Sequence, residues 1–125
     1  MSVNNKEIVE KIDAAFAKGD AEKFLSFCAD DVEWAMIGEK TFKGKDAIRQ
    51  WLASRKMEPP KCTVTNIVAE GDAVVPHGHM TMKDKDGKPG AYADCDIYRI
   101  RNASVAALTS FGVKTETKHQ TTSGA

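Results

Sequence analysis

The segment GAYADCDIYRI, residues 90 to 100, carries Tyr92, Asp94, Asp96 and Tyr98 at alternate positions. In an extended strand these four side chains project from one face, and Ala91, Ala93, Cys95 and Ile97 project from the other. Two carboxylic acids between two tyrosines can hold, move or share protons at a bound molecule. Such a face either meets water, as one side of an antiparallel sheet commonly does, or lines a cavity where the acids do chemistry. Upstream, AVVPHGHMTM places His77 and His79 two residues apart, and histidine exchanges its proton near neutrality.

Turn chemistry predicts what faces what. Asp86-Gly87 is a strong signal for a two-residue hairpin turn. With Lys85 opposite Lys88, the register places Thr81 opposite Tyr92, His79 opposite Asp94 and His77 opposite Asp96. Directly opposed residues share a sheet face, so two histidines would stand over two aspartates. A second turn at Asn102-Ala103 puts Thr109 opposite Asp96 and Phe111 opposite Asp94, and a third at Gly71-Asp72 puts Asn66 opposite His77. The whole patch depends on Pro89, which cannot donate a ladder bond; a one-residue slip there sends the histidines to the other face.

On the first register, His77 is the expected base and Asp96 its orienting carboxylate or a neutral acid. Asp94 with His79 is a second acid/base pair. A His-x-His pair facing carboxylates could also hold a divalent cation, and GDAVVPHGH has the G-x5-H-x-H spacing of a first cupin motif. No second cupin motif follows, however, and His119 lies in a polar tail. The expectation is therefore a site without metal.

The elements that must position these groups follow from periodicity. Ile8, Val9, Ile12, Ala15 and Phe16 recur at helical spacing until KGD breaks the pattern. Asp20 can cap a second short helix with an apolar stripe of Phe24, Leu25 and Cys28, ended by ADD. VEWAMI alternates like a strand, so Trp34 shares a face with Val32 and Met36 and can wall a pocket that Phe16 also lines. GEKTFKG makes a turn and short return strand, KDAIRQWLASRKM a third helix, and Pro59-Pro60 stops it. Every later segment reads as β. Helices with one hairpin interleaved, followed by an antiparallel meander, predict an α+β fold. One domain is expected over residues 1–115, with a polar tail over 116–125.

Composition narrows the partners. Eighteen basic and eighteen acidic residues cancel, which gives nucleic acid no basic surface to hold. Apolar runs fall well short of the ~20 residues that span a membrane. The charged N-terminal stretch lacks the apolar centre of a signal peptide, so a cytoplasmic location is expected. Cys28, Cys62 and Cys95 form no CxxC and are expected to be reduced, mostly buried thiols.

KGDAEKFLSFCADDVEW, FKGKDAIRQWL and DIYRIRNASVAALTSF, in that order, resemble a SnoaL-like domain of the nuclear transport factor 2-like superfamily. That superfamily includes ketosteroid isomerases, polyketide cyclases and scytalone dehydratase. The similarity spans roughly residues 5 to 115. It implies a cone, in which three helices pack on a strongly curved antiparallel sheet and leave a deep pocket. It also implies a homodimer through the outer sheet face. Ketosteroid isomerases carry a pocket aspartic acid in a D-h-h-R-h strand motif, where h is hydrophobic. DIYRI matches that motif, and Asp96 takes the position of an acid that stays neutral and donates to a developing oxyanion.

Two departures stand beside the match. The general-base aspartate of those isomerases falls near Met36, and its partner tyrosine near Ile12; neither residue here transfers a proton. Steroid isomerisation by that residue set is therefore not expected. The resemblance implies a small-molecule pocket protein, acting by cofactor-independent acid/base chemistry of isomerase, dehydratase or cyclase type. Its substrate would be a small, largely apolar carbonyl or hydroxyl compound held by Trp34, Tyr98, Tyr92, Thr109, Asn66 and Phe16. The alternative is a non-catalytic ligand-binding or dimeric assembly domain of the same fold.

Overall fold

The apolar stripe beginning at Ile8 becomes α1 (Asn5–Lys18) in a computed structural model that describes residues 4–54, 61–83 and 86–115. Asn4 caps the helix by accepting from the Lys6 N–H, and Gly19 ends it in the left-handed conformation at φ 71°. Asp20 then caps α2 (Ala21–Ser26) through the Lys23 N–H. β1 (Cys28–Met36), β2 (Thr41–Lys43) and α3 (Lys45–Ser54) follow, then β3 (Lys61–Glu70), β4 (Ala73–Lys83), β5 (Pro89–Arg101) and β6 (Ser104–Lys114). Pro59, Pro60, His119 and the expected tail lie outside the described residues.

The strands form one curved six-stranded sheet in the order β2-β1-β6-β5-β4-β3. All pairs are antiparallel except β1 with β6, which run parallel. The α+β expectation holds, with two local corrections. Ala29, Asp30 and Asp31 belong to β1 and do not end α2, because Cys28 pairs with Val105 and the Val105 N–H donates to the Phe27 carbonyl at 2.8 Å. Strand pairing overrides the local polar signal. Cys28 is buried and Cys95 half-buried, but Cys62 is exposed, because β3 is an edge strand.

The helices pack on one face of the sheet. Ile8, Val9 and Ile12 of α1, Phe24 and Leu25 of α2, and Ile48 of α3 meet Val32, Val74, Tyr98, Ile100, Val105 and Leu108 of the strands. Each such side chain contributes about 1.5–3 kcal/mol when fully buried. No helix among the described residues is long and apolar enough to cross a membrane.

Candidate active site

Strand parity places Tyr92, Asp94, Asp96 and Tyr98 on the sheet face that carries the helices. Tyr98 is only 1 % exposed and belongs to the core, and Asp94 and Asp96 are half-buried. The inner-face expectation for this strand is met. The residues opposite it are not those expected.

The described β4–β5 ladder ends at Lys83 opposite Pro89, one residue out of the register expected from Asp86-Gly87; Lys85 lies outside the described residues. Pro89 is tolerated there as the first residue of its strand. The consequence is a shift of one residue throughout. His77 lies opposite Cys95 and His79 opposite Ala93, while Gly78 faces Asp94. Both histidines are exposed on the outer face, and the expected pairing of His77 with Asp96 and His79 with Asp94 is corrected. Thr81 likewise meets Ala91, not Tyr92.

A second one-residue slip occurs on the other side of β5. Asn102 and Ala103 form the expected turn, with φ 53° and 64°, and Arg101 lies opposite Ser104. A bulge between Arg99 and Ile100 then advances the register, so Asp96 faces Ser110 and Asp94 faces Gly112. Thr109 and Phe111 pair with Ile97 and Cys95 on the outer face. Asn66 does lie opposite His77, and its Oδ1 accepts from the Ile67 N–H at 2.8 Å.

The partner that sequence patterning missed comes from α1. Asp13 stands one turn after Val9 and one turn before Phe16, so it shares the face directed at the sheet. Its Oδ2 is buried and has no hydrogen-bond partner among the described residues. Burial, then the charges of Asp96, Asp94 and Glu10, push the Asp13 carboxyl up to about 7. The signal was available: an acid inside an apolar stripe at helical spacing.

Burial also raises Asp96, to about 6, against a hydrogen bond from Ser110 that favours the carboxylate. Asp94 is raised by burial too; His79, a hydrogen bond from the Gly78 N–H and His77 act the other way. Tyr98 is held well above its ordinary value by burial and then by Asp96. Cys62, although exposed at the sheet edge, feels the same cluster. Burial of its thiol, then the charges of Asp94, Asp13 and Asp96, push it up to about 11, which makes it a poor nucleophile.

Aromatic rings pack around the residue that binds Ser110. Trp34 is 7 % exposed and donates from Nε1 to the Ser110 Oγ at 2.9 Å. Its ring lies 6.1 Å from Phe16, 5.6 Å from Phe24 and 5.7 Å from Trp51. A groove of about 420 Å³ between α1 and β3 is bordered by Asp13, Glu10, Val64, Asn66 and Ile67. A larger hollow of about 540 Å³, bordered by Asn5, Gly71 and Asn102, is lined by none of the three acids. Among the described residues, no three His, Cys, Asp or Glu side chains converge closely enough to hold a metal ion.

Comparison with known proteins agrees with this architecture. The sequence profile of the SnoaL-like domain matches residues 9–108. A nuclear transport factor 2-like protein of unknown function from Cytophaga hutchinsonii is 26 % identical, with a TM-score of 0.71 over 88 % of this chain and 100 % of that one. A protein provisionally assigned as a ketosteroid isomerase, from Kribbella flavida, is 15 % identical, with a TM-score of 0.76 over 90 % of this chain and 79 % of that one. TerC, co-crystallised with polyporic acid, is 22 % identical, with a TM-score of 0.75 over 85 % and 88 % of the two chains. No protein with a curated description matches the sequence.

Proposed function

This chain belongs to the SnoaL-like domain family, and on that footing we propose that it is a small-molecule pocket protein whose Asp13–Asp96 pair transfers a proton without a cofactor. The observation that carries the proposal is the buried Oδ2 of Asp13, without a hydrogen-bond partner among the described residues, on a carboxyl raised to about 7 and coupled to a second raised carboxyl. In this poorly solvated site the Asp96 charge helps to keep the proton on Asp13, so the two carboxyls lose their protons in sequence. One member is then ionised and the other neutral near physiological pH. The ionised carboxylate accepts a proton from carbon next to a carbonyl, and the neutral acid donates a hydrogen bond to the oxygen where charge develops. Return of the proton at another atom completes an isomerisation. Such a base supplies roughly a hundred- to ten-thousand-fold in rate.

The substrate class follows from the walls. Val64 and Ile67, which border the groove beside Asp13, favour a small, largely apolar molecule, and Asp13, Glu10 and Asn66 favour a carbonyl or hydroxyl. The ligand of TerC and the assignment of the Kribbella protein support that class. The test is hydrogen–deuterium exchange at the α-carbon of a panel of cyclic and aryl ketones, followed by NMR. Wild-type protein should accelerate exchange for at least one, and Asp13→Asn and Asp96→Asn should each reduce it at least a hundredfold. Exchange unchanged in both variants would sink the assignment.

A second reading, ligand capture without turnover, is favoured by Met36 and Ile12 at the positions matched to the isomerase base and its tyrosine. Native mass spectrometry of protein taken from cells would then find an unmodified ligand, with no product formed from it. We further propose a homodimer through the outer sheet face, where Phe111, Val113 and Val68 are 38 %, 65 % and 52 % exposed.

A further inference from the structure

We infer that Ser110 is a positioning residue that sorts the two roles of the carboxyl pair, because the Trp34 indole forces its hydroxyl hydrogen toward Asp96. The inference deepens the proton-transfer reading and rests on it for its functional meaning, though not for its geometry. An indole N–H can only donate, whereas a serine hydroxyl can accept and donate at once. With Trp34 Nε1 at 2.9 Å, the Ser110 oxygen is committed as an acceptor. Its own hydrogen is then free to point elsewhere, and Asp96 is the directly opposed side chain on β5, whose ionised form that hydroxyl favours. A hydroxyl donating to a carboxylate oxygen favours the ionised form. Asp96 is therefore the base and Asp13 the proton carrier, the reverse of the neutral role that the D-h-h-R-h motif implied for Asp96.

The arrangement is fixed at each end. Phe16, Phe24 and Trp51 surround the Trp34 ring, so the indole has little freedom to turn away. The Ser110 carbonyl accepts from the Ile37 N–H at 3.0 Å, and Ser110 lies between β1 and β5, paired with Met36 on one side and Asp96 on the other. The bulge between Arg99 and Ile100 selects the residue: without it, Thr109 would face Asp96 and Ser110 would point outward. Among the described residues, the titratable groups facing Asp96 are Asp13 from α1, Asp94 and Tyr98 from β5, and Cys62 from β3. None of them is a cation, so the Ser110 hydroxyl is the group that favours charge on Asp96.

The experiment follows the Trp34 indole ¹H–¹⁵N signal and the Asp96 carboxyl ¹³C signal through a pH titration. In wild type, the indole signal should move with the Asp96 titration, relayed through the shared hydroxyl. In Ser110→Ala the Asp96 midpoint should rise and the indole signal should stop following it; Ser110→Thr should restore both. The acid limb of any exchange activity should move to higher pH in Ser110→Ala, because Asp96 then ionises later. Asp96→Asn, which keeps the serine and tryptophan, should also silence the indole titration, and it serves if Ser110→Ala does not fold. An indole signal indifferent to pH in wild type, or equally responsive in Ser110→Ala, overturns the inference. Relayed titration without any ketone exchange would leave the inference standing and remove the catalytic proposal instead.

Discussion

Asp13 occupies a helix position whose near neighbours on the same face are Val9 and Phe16, and its buried oxygen receives no donor among the described residues. A group in that position has a cost to the fold, and the sign is fixed by linkage. The carboxyl rises from 3.8 in the unfolded chain to about 7 in the folded protein, so between those values the folded state holds a proton that the unfolded state has lost. Stability is therefore full below about pH 4 and declines as pH climbs through 7, and Asp96, raised to about 6, acts in the same direction. Partial solvent exposure screens the effect, which leaves about 1–2 kcal/mol of the larger value that the Asp13 shift alone would give. Asp13→Asn removes the charge while keeping the shape. It should be more stable than wild type by about 1–2 kcal/mol at pH 8 and nearly equal at pH 4, by urea unfolding. A variant less stable at both pH values would mean that Asp13 holds the fold together rather than straining it.

At the scale of elements, two backbone features decide which side chains meet. β4 can lie against the β3 bulge only because residue 78 is glycine: a Cβ there would run into the Thr63 carbonyl oxygen. Gly78→Ala should cost about 3 kcal/mol, and it should loosen the Gly78 N–H that Asp94 accepts. A thermal melt unchanged from wild type would show that β3 gives way easily. The turn at Asn102-Ala103 makes the opposite prediction. Alanine at φ 64° carries a left-handed penalty that glycine lacks, so Ala103→Gly should stabilise by about 0.5–1 kcal/mol, read from a shift in the urea midpoint.

These features also explain what was legible in the sequence. The helix stripes, the caps at Asn4 and Asp20 and the inner face of the Asp94–Tyr98 strand are local patterns of period 3.6 or 2, and they survive folding. The opposed residues are not local. A one-residue difference in the β4–β5 register removed His77 and His79 from the carboxylates, and one bulge replaced Thr109 with Ser110. A single inserted residue is invisible to composition but inverts the side-chain face. Asp13 carries no signal in an apolar-stripe pattern, since a single acid within the stripe adds nothing to its hydrophobic period.

For the whole molecule, the sheet divides two kinds of surface. The face under the helices concentrates acids, tyrosines and Trp34. The outer face carries Phe111 and Val113 of β6 and Val68 of β3, with His77 and His79 between them on β4. If a second copy covers that outer face, Val113→Glu should convert a dimer to a monomer in light scattering while leaving the Asp13 and Asp96 titrations unchanged. A protein that is monomeric without the substitution at micromolar concentration would remove the dimer from the account. The inner face would keep its chemistry in either case, since its carboxyls come from α1 and β5 of one chain.

If Asp13 and Asp96 act as one electrostatically coupled pair inside the sheet's helical face, each must feel the other's charge. The measurement that tests it most directly is a ¹³C NMR titration of the Asp13 carboxyl in wild type and in Asp96→Asn. The wild-type midpoint should lie near 7 and fall once the neighbouring charge is removed. A midpoint near 4 in wild type, unmoved by Asp96→Asn, would contradict it.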